Sequence, residues 1–270
     1  FANAKALIFA GMFYRGEEAK QWLETGLGIL ENEICEQILQ DGGHFELSPM
    51  YHSIVLEDVL DLINIFLAYP NIVRKEHVDL LKLVAIKMLQ WLDIMCHPDG
   101  EISFFNDAST NIALSPKVLE DYLSTLVGKV GTVEKSNVLS ITHLSSSGYV
   151  RLESKSAVLV ADVAKIGPSY LPGHGHADAL SIEFSLFGHR LFVNLGTSEY
   201  GDGARRHFER STAAHSTLEL NRENSSEIWS GFRVGRRAKV SGVHIKSAES
   251  HCELIAQHDG YRYLSGRPLH

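Results

Sequence analysis

Two hundred and seventy residues, 44% of them hydrophobic, suffice for one large core or two ordinary ones. Charged residues make up 21%, mean hydropathy is −0.05 and no apolar run reaches ~18 residues, which excludes wholesale disorder and a helix built to span a bilayer. The net charge of −8 is uneven: residues 1–200 hold 14 basic against 25 acidic side chains, whereas residues 201–270 hold 11 against 8 and contain nine of the 13 arginines. Such an Arg-rich end suits a local site for carboxylate, sulfate or phosphate, because guanidinium presents a planar fork of donors. The broad basic surface that nucleic-acid binding requires is missing.

The opening residues (ANAKALIFAGMF) are already helical in pattern, so Phe1 enters mid-helix. Residues 17–40 read as a second helix, with Trp22, Leu23, Leu27, Leu30, Ile34 and Ile38 recurring at helical spacings and a stop at Asp41-Gly42-Gly43. Residues 53–69 read as a third helix, on which Glu57, Asp58 and Asp61 share a polar face. A fourth covers 75–95 with a Leu81, Val84, Met88, Trp91, Met95 stripe, and a shorter one follows Pro116. Consecutive helices on short loops predict a bundle or a toroid of helical hairpins.

After the polar stretch 128–137 the period changes from helix to strand, which puts a domain boundary near residue 138. Residues 157–163 are strand-like. Residues 179–187 alternate, with Leu180, Ile182, Phe184 and Leu186 on one face and Ser181, Glu183 and Ser185 on the other. A turn at Phe187–Arg190 leads into 191–193, and further strand-like runs lie at 215–220, 236–245 and 252–257. The pattern predicts an antiparallel β-sandwich. Cys35, Cys96 and Cys252 lie far apart, which argues against a zinc ribbon or a disulfide scaffold.

Three segments concentrate chemistry. In Pro172-Gly173-His174-Gly175-His176-Ala177-Asp178 the two histidines project to one side of an extended segment and invite a divalent metal, with His215 as a third ligand. The bland alternative is a turn whose histidines bond only to backbone. The segment Asp41–His52 places Glu46, Tyr51 and His52 between two helices as acid, base and orienter. Tyrosine is a poor base at its ordinary pKa of ~10, so nearby cations would have to favour its phenolate. The bland alternative here is a loop with Tyr51 packed as a wedge. In the third segment Arg205, Arg206, Arg210, Arg233, Arg236 and Arg237 interleave with Phe208, Trp229 and Phe232, a mixture suited to an anionic sugar, or to a solvated strand edge.

Taken together, DGGHFELSPMYH, YLPGHGHADALSIEF, FVNLGT and RHFERSTAAHSTLEL, followed by GFRVGRRAKV and HDGY, resemble the heparinase II/III family of polysaccharide lyases over nearly the whole chain. The resemblance implies an α+β chain: a partial (α/α) toroid over 1–137, then an antiparallel β-sandwich over 138–270, with the active site in the cleft between them. It implies β-elimination on a uronate-containing acidic polysaccharide, as in lyases acting on heparan sulfate or alginate. Tyr51 matches the residue that takes the proton and returns one to the leaving oxygen, and His174 matches a substrate-facing catalytic histidine. Glu46, His52, Tyr200 and Arg210 fall near the substrate, and His176, Asn194 and His215 match a structural metal site, zinc first. Asn194 stands where the family commonly has Asp, a stronger ligand, so weak occupancy is expected. The Asn or His that neutralises the uronate is expected upstream of Phe1, and both chain ends are expected to fall inside the family's fold. The implied compartment is the periplasm or cell envelope, and the implied partner is the glycan, with a second copy of the chain as an option. A glycoside hydrolase, metal-assisted or using Glu46 with Asp41, and a non-catalytic glycan-binding protein are the competing readings.

Overall fold

The computed structural model describes residues 1–129, 138–248 and 251–270. Five helices come first: α1 (Ala2–Phe13), α2 (Glu17–Gln37), α3 (Pro49–Ala68), α4 (Lys75–Ile94) and α5 (Pro116–Val127). Helix α3 is apolar nearly all round, and Val55, Leu56, Val59, Leu60, Leu62, Ile63 and Phe66 are all buried, as a central helix requires. It packs against α1, α4 and α5. Its expected polar face is put to use. Lys5 of α1 donates to Asp58 (2.8 Å) and to Asp61, and the Tyr122 hydroxyl donates to Asp61 (2.9 Å).

Two helix ends differ from the sequence reading. Helix α2 stops at Gln37, three residues early, because Ile38 forms an antiparallel bridge with His44 across a tight loop that Gly42 turns at φ 92°. Helix α3 starts four residues early. Ser48 caps it, accepting from the Tyr51 amide at 3.1 Å, and Pro49 occupies the first turn, where its missing N–H costs nothing. The Ser48-Pro49 pair was a readable start signal.

The second half holds one five-stranded antiparallel sheet in consecutive order: β1 (Ser140–Leu144), β2 (Tyr149–Glu153), β3 (Ala157–Asp162), β4 (Ile182–Leu186) and β5 (His189–Phe192). A short helix α6 (Ala204–Arg210) and a 3₁₀ turn (Thr212–Ala214) follow. Two ribbons come last, β6 (Ile228–Trp229) with β7 (Arg233–Val234) and β8 (Val240–Ser247) with β9 (Cys252–His258). Among the described residues the remaining strands thus form ribbons rather than a second broad sheet, and 215–220, read as a strand, forms only an isolated bridge from Leu220 to Glu223. Strand β4 begins at 182 because Leu180 sits at φ 58°, outside the extended region. The expected domain boundary adjoins residues 130–137, which lie outside the described residues. All three cysteines are free. No described helix is long and apolar enough to cross a membrane.

The alternation of β4 is real, but its polar face points inward. Glu183 and Ser185 are fully buried, whereas Ile182, Phe184 and Leu186 are half-buried. The inward face meets the helical half, and polar groups join the two. Asp41 accepts from the amides of Ser146 (2.9 Å) and Ser147 (2.7 Å), Trp91 donates to the Ser147 hydroxyl (2.9 Å), and Arg151 donates to the carbonyls of Ile94 and Cys96. A small apolar cluster that includes Leu47, Trp91, Met95, Phe105, Tyr149 and Val160 fills the space between them.

Candidate active site

Tyr51 lies in the first turn of α3, fixed by the Ser48 cap. The same Ser48 hydroxyl donates to the carbonyl of Asp107, so one side chain ties the start of α3 to the loop that follows α4. Asp107 is fully buried and is the centre of the arrangement. Its Oδ2 accepts from His174 Nδ1 (2.8 Å) and Arg206 Nη2 (2.8 Å). Its Oδ1 accepts from His176 Nε2 (2.7 Å), Thr197 Oγ1 (2.8 Å) and Arg206 Nη1. Burial works against the charge on this carboxyl, but the bonds from His174, His176 and Arg206 outweigh it and hold the group well below the usual carboxylate range.

With Nδ1 committed to Asp107, His174 directs Nε2 toward Glu46, whose Oε2 lies 4.0 Å away. The Tyr51 ring sits 4.1 Å from the His174 ring, and the Tyr51 hydroxyl hydrogen-bonds the Tyr200 hydroxyl at 2.8 Å. Tyr200 stacks on Phe232 (5.6 Å, 17°), and the Arg206 guanidinium lies 5.2 Å and 5.4 Å from these two rings. Glu46 and His174 line an open pocket of about 500 Å³ with Tyr170, Pro172, Phe232 and Arg233. Burial pushes the Glu46 carboxyl up, which lowers the repulsion an acidic ligand would meet. Burial also pushes the Tyr51 phenol up, against the pull of the Tyr200 hydrogen bond and of Arg206. Of the cations expected to favour the Tyr51 phenolate, Arg206 acts in that direction and burial outweighs it.

Two models of one family match the chain end to end: the heparinase II/III N-terminus over residues 1–127 and the heparinase II/III-like C-terminal domain over residues 138–268. The chain belongs to the heparinase II/III family. It is 30% identical over 242 residues to a heparin-sulfate lyase of Bacteroides stercoris and 31% identical over 250 residues to one of Pedobacter heparinus. Each match covers 82% of this chain but only 35% and 36% of the relative, so the chain spans about a third of their length. A crystal structure of heparinase III matches in fold with TM-score 0.74 and 19% identity, covering 96% of this chain and 42% of that one.

Within this heparinase II/III chain, Glu46 and His174 line the pocket, Tyr51 and Tyr200 adjoin His174, and two expected substrate contacts lie apart from it. His52 is fully buried, stacks on Trp91 (4.4 Å), accepts from the His44 amide at Nδ1 and donates to the Met88 carbonyl through Nε2. Burial lowers its pKa to about 3, so it is a neutral core residue. Arg210 is fully buried too. It donates to the carbonyls of Gly175, Ser230 and Arg233, which bolts the histidine-bearing turn to the 228–234 ribbon. Most of the arginine cluster is likewise engaged with groups of the chain itself. Arg206 serves Asp107, Arg236 and Arg237 donate to carbonyls, and Arg205 pairs with Glu209. Asp41 spends its carboxylate on Ser146 and Ser147, so it is not paired with Glu46 as a hydrolase dyad.

The histidines of the HxH turn have separate surroundings. His174 faces the pocket. His176 is fully buried, with Nδ1 3.0 Å from His215 Nε2 while its Nε2 is held by Asp107 and His215 Nδ1 donates to the Ser211 carbonyl (2.7 Å). Two imidazole nitrogens that face each other, each with its outer nitrogen fixed by an oxygen, are two of the groups a metal site would need. The third expected ligand is already engaged: Asn194 Oδ1 accepts from the Ser216 amide at 3.0 Å, and its buried Nδ2 has no partner. No group of three His, Cys, Asp or Glu side chains positioned for a metal occurs among the described residues.

Proposed function

We propose that this chain carries the Tyr51–His174 centre of a polysaccharide lyase that cleaves a uronate-containing glycan, of the kind its heparin-sulfate lyase relatives are named for, by β-elimination. The observation that supports this most is the Tyr51 ring packed against a pocket-lining histidine whose own ring is oriented by a buried carboxylate. As the phenolate, Tyr51 can take the proton from the sugar carbon next to the carboxyl and then give it to the departing glycosidic oxygen. One C–H and one C–O bond break, a C=C bond forms, and Tyr51 ends as it began. His174 offers Nε2 to the substrate, and Tyr200 holds the Tyr51 hydroxyl until substrate replaces it. We further infer that α1–α5 are part of an (α/α) toroid and that the five-stranded sheet is one layer of a sandwich.

Zinc belongs to this proposal as a structural ion. His176 Nδ1 and His215 Nε2 would hold it, and Asn194 would join only by releasing Ser216. Elemental analysis, together with melting recorded with and without zinc, checks that part: no bound metal and an unmoved melting temperature would remove it.

The main test is ultraviolet absorbance on heparan sulfate, since elimination leaves a conjugated C=C bond that hydrolysis does not. Tyr51→Phe should lower turnover about 10²–10⁴-fold with the fold intact. A variant that keeps most of the activity would overturn the role of Tyr51.

A further inference from the structure

With the arginine cluster accounted for, Arg233 stands apart. It is exposed and lines the pocket beside Glu46, His174 and Phe232, and its guanidinium has no hydrogen-bond or ion-pair partner among the described residues. Its backbone, by contrast, is fixed. Arg233 lies on β7 opposite Trp229 of β6, and that indole is 55% exposed. Directly opposed residues of an antiparallel pair carry their side chains on one face, about 5 Å apart at Cβ. The turn between them is bolted from beneath. Arg206 Nε donates to the Gly231 carbonyl (3.0 Å), and Arg210 donates to the carbonyls of Ser230 (2.9 Å) and Arg233 (3.2 Å). Gly231 packs so closely that a Cβ there would lie 2.1 Å from the Gly201 carbonyl oxygen. The turn is therefore rigid while the two side chains it presents are free. A guanidinium binds the two oxygens of an acid group, and an indole beside it covers the apolar face of a ring.

We propose that Arg233 and Trp229 form the acid-recognition subsite of the cleft, binding one carboxylate or sulfate of the glycan and stacking on the sugar that carries it. The subsite determines affinity and register, and it leaves proton transfer to Tyr51. This rests on the lyase reading above.

The test measures binding of a heparan sulfate hexasaccharide by calorimetry in the full chain carrying Tyr51→Phe, so that no turnover intrudes, and lyase kinetics in the chain with Tyr51 intact. Arg233→Gln should weaken binding about 10- to 100-fold, as expected for loss of a charge-assisted hydrogen bond, and should act on kcat/KM mainly through KM. Arg233→Lys should recover part of the loss, and Trp229→Ala should cost about 3- to 10-fold. Since both side chains are exposed, melting temperatures should not move. Carboxyl-reduced and desulfated hexasaccharides identify the group bound: Arg233→Gln should have no further effect on the one that lacks it. Unchanged affinity in Arg233→Gln, or the same loss on both modified hexasaccharides, would overturn the subsite and leave the lyase reading standing. Failure both to bind the hexasaccharide and to cleave the polymer, in protein that carries the neutralising Asn or His expected upstream of Phe1, would overturn both.

Discussion

Each half of the molecule sends one carboxylate into the other, and the two are built differently. Asp107 enters from the helical half and collects its donors from four side chains of the second half: His174, His176, Thr197 and Arg206. Glu183 enters from the sheet and collects its donors from the helical half and its own: His97 Nε2 (2.7 Å) and the amides of Phe104 (2.9 Å) and Asn194 (3.0 Å). His97 in turn hydrogen-bonds Ser185 at 2.7 Å, and both of these side chains are buried. Both carboxylates are fully buried. The difference lies in what they hold. Two of the three donors to Glu183 are main-chain amides, which fix loops. Asp107 holds only side chains, and one of them opens onto the pocket. A buried charge with main-chain partners is a rivet, and the same charge with side-chain partners arranges a site.

The comparison breaks most visibly at Asp107. Asp107→Asn leaves Arg206 buried without its counter-charge, which should cost about 3–5 kcal/mol of stability. It also frees His174 to turn, so lyase turnover should fall further than the folded fraction does. Denaturant unfolding and kinetics on the same preparation check this, and turnover that only tracks the folded fraction would make Asp107 a second rivet.

Glu183→Gln sharpens the contrast. It removes the charge facing His97 but keeps an acceptor, so a loss of about 1–3 kcal/mol is expected, with turnover per folded molecule nearly unchanged. If this variant, held well below its melting temperature, were inactive, the division between the two carboxylates would fail.

Between the rivet and the site lies His52, which is held neutral. Its folded pKa of about 3 lies below the ordinary histidine value, so its contribution to stability is complete above pH ~6.5 and is lost as pH falls toward 3. Full protonation of this one group would cost up to about 5 kcal/mol. His52→Phe should destabilise the fold at neutral pH, since the His44 amide and the Met88 carbonyl lose their partner, and should flatten the acid side of the stability profile. An unchanged slope between pH 6 and 4 would show that His52 titrates elsewhere. The smallest effect belongs to the rim of the Glu183 region. Arg190 pairs with the partly exposed Asp99, so Arg190→Lys should cost under about 1 kcal/mol in thermal unfolding, and less at high salt.

Motif matching singled out Tyr51, His174, Glu46 and Tyr200, which the fold brings together, and also His52 and Arg210, which it buries elsewhere. Tyr51 and His174 were legible because their neighbours (Ser48-Pro49, and glycines on both sides of His174) carry local structural signals. Asp107 was not. It sits in Phe105-Asn106-Asp107-Ala108, a loop with no periodicity, and nothing within ten residues distinguishes it from a solvated aspartate. The available hint was global: an arginine cluster that is to be buried needs an acid from elsewhere in the chain. His52 and Arg210 were misread for the opposite reason. Their residue types suit chemistry, while their positions suit the core and a backbone clamp. The helices were readable because burial on one stripe leaves a period, whereas the polar inner face of β4 defeats the usual rule that the apolar side of a strand faces inward.

The Ser48 hydroxyl carries a constraint on substitution. Four side chains commonly start helices well, but at this position the cap atom must also give a proton to the Asp107 carbonyl while it takes one from the Tyr51 amide. An aspartate would cap the helix and then set its charge against that carbonyl. An asparagine would have to divide the two tasks between atoms that point in different directions. Among these caps only a hydroxyl, serine or threonine, keeps the Tyr51 phenol and the histidine's anchor at one fixed separation, so exchanges neutral at most helix starts would here put the two groups out of step.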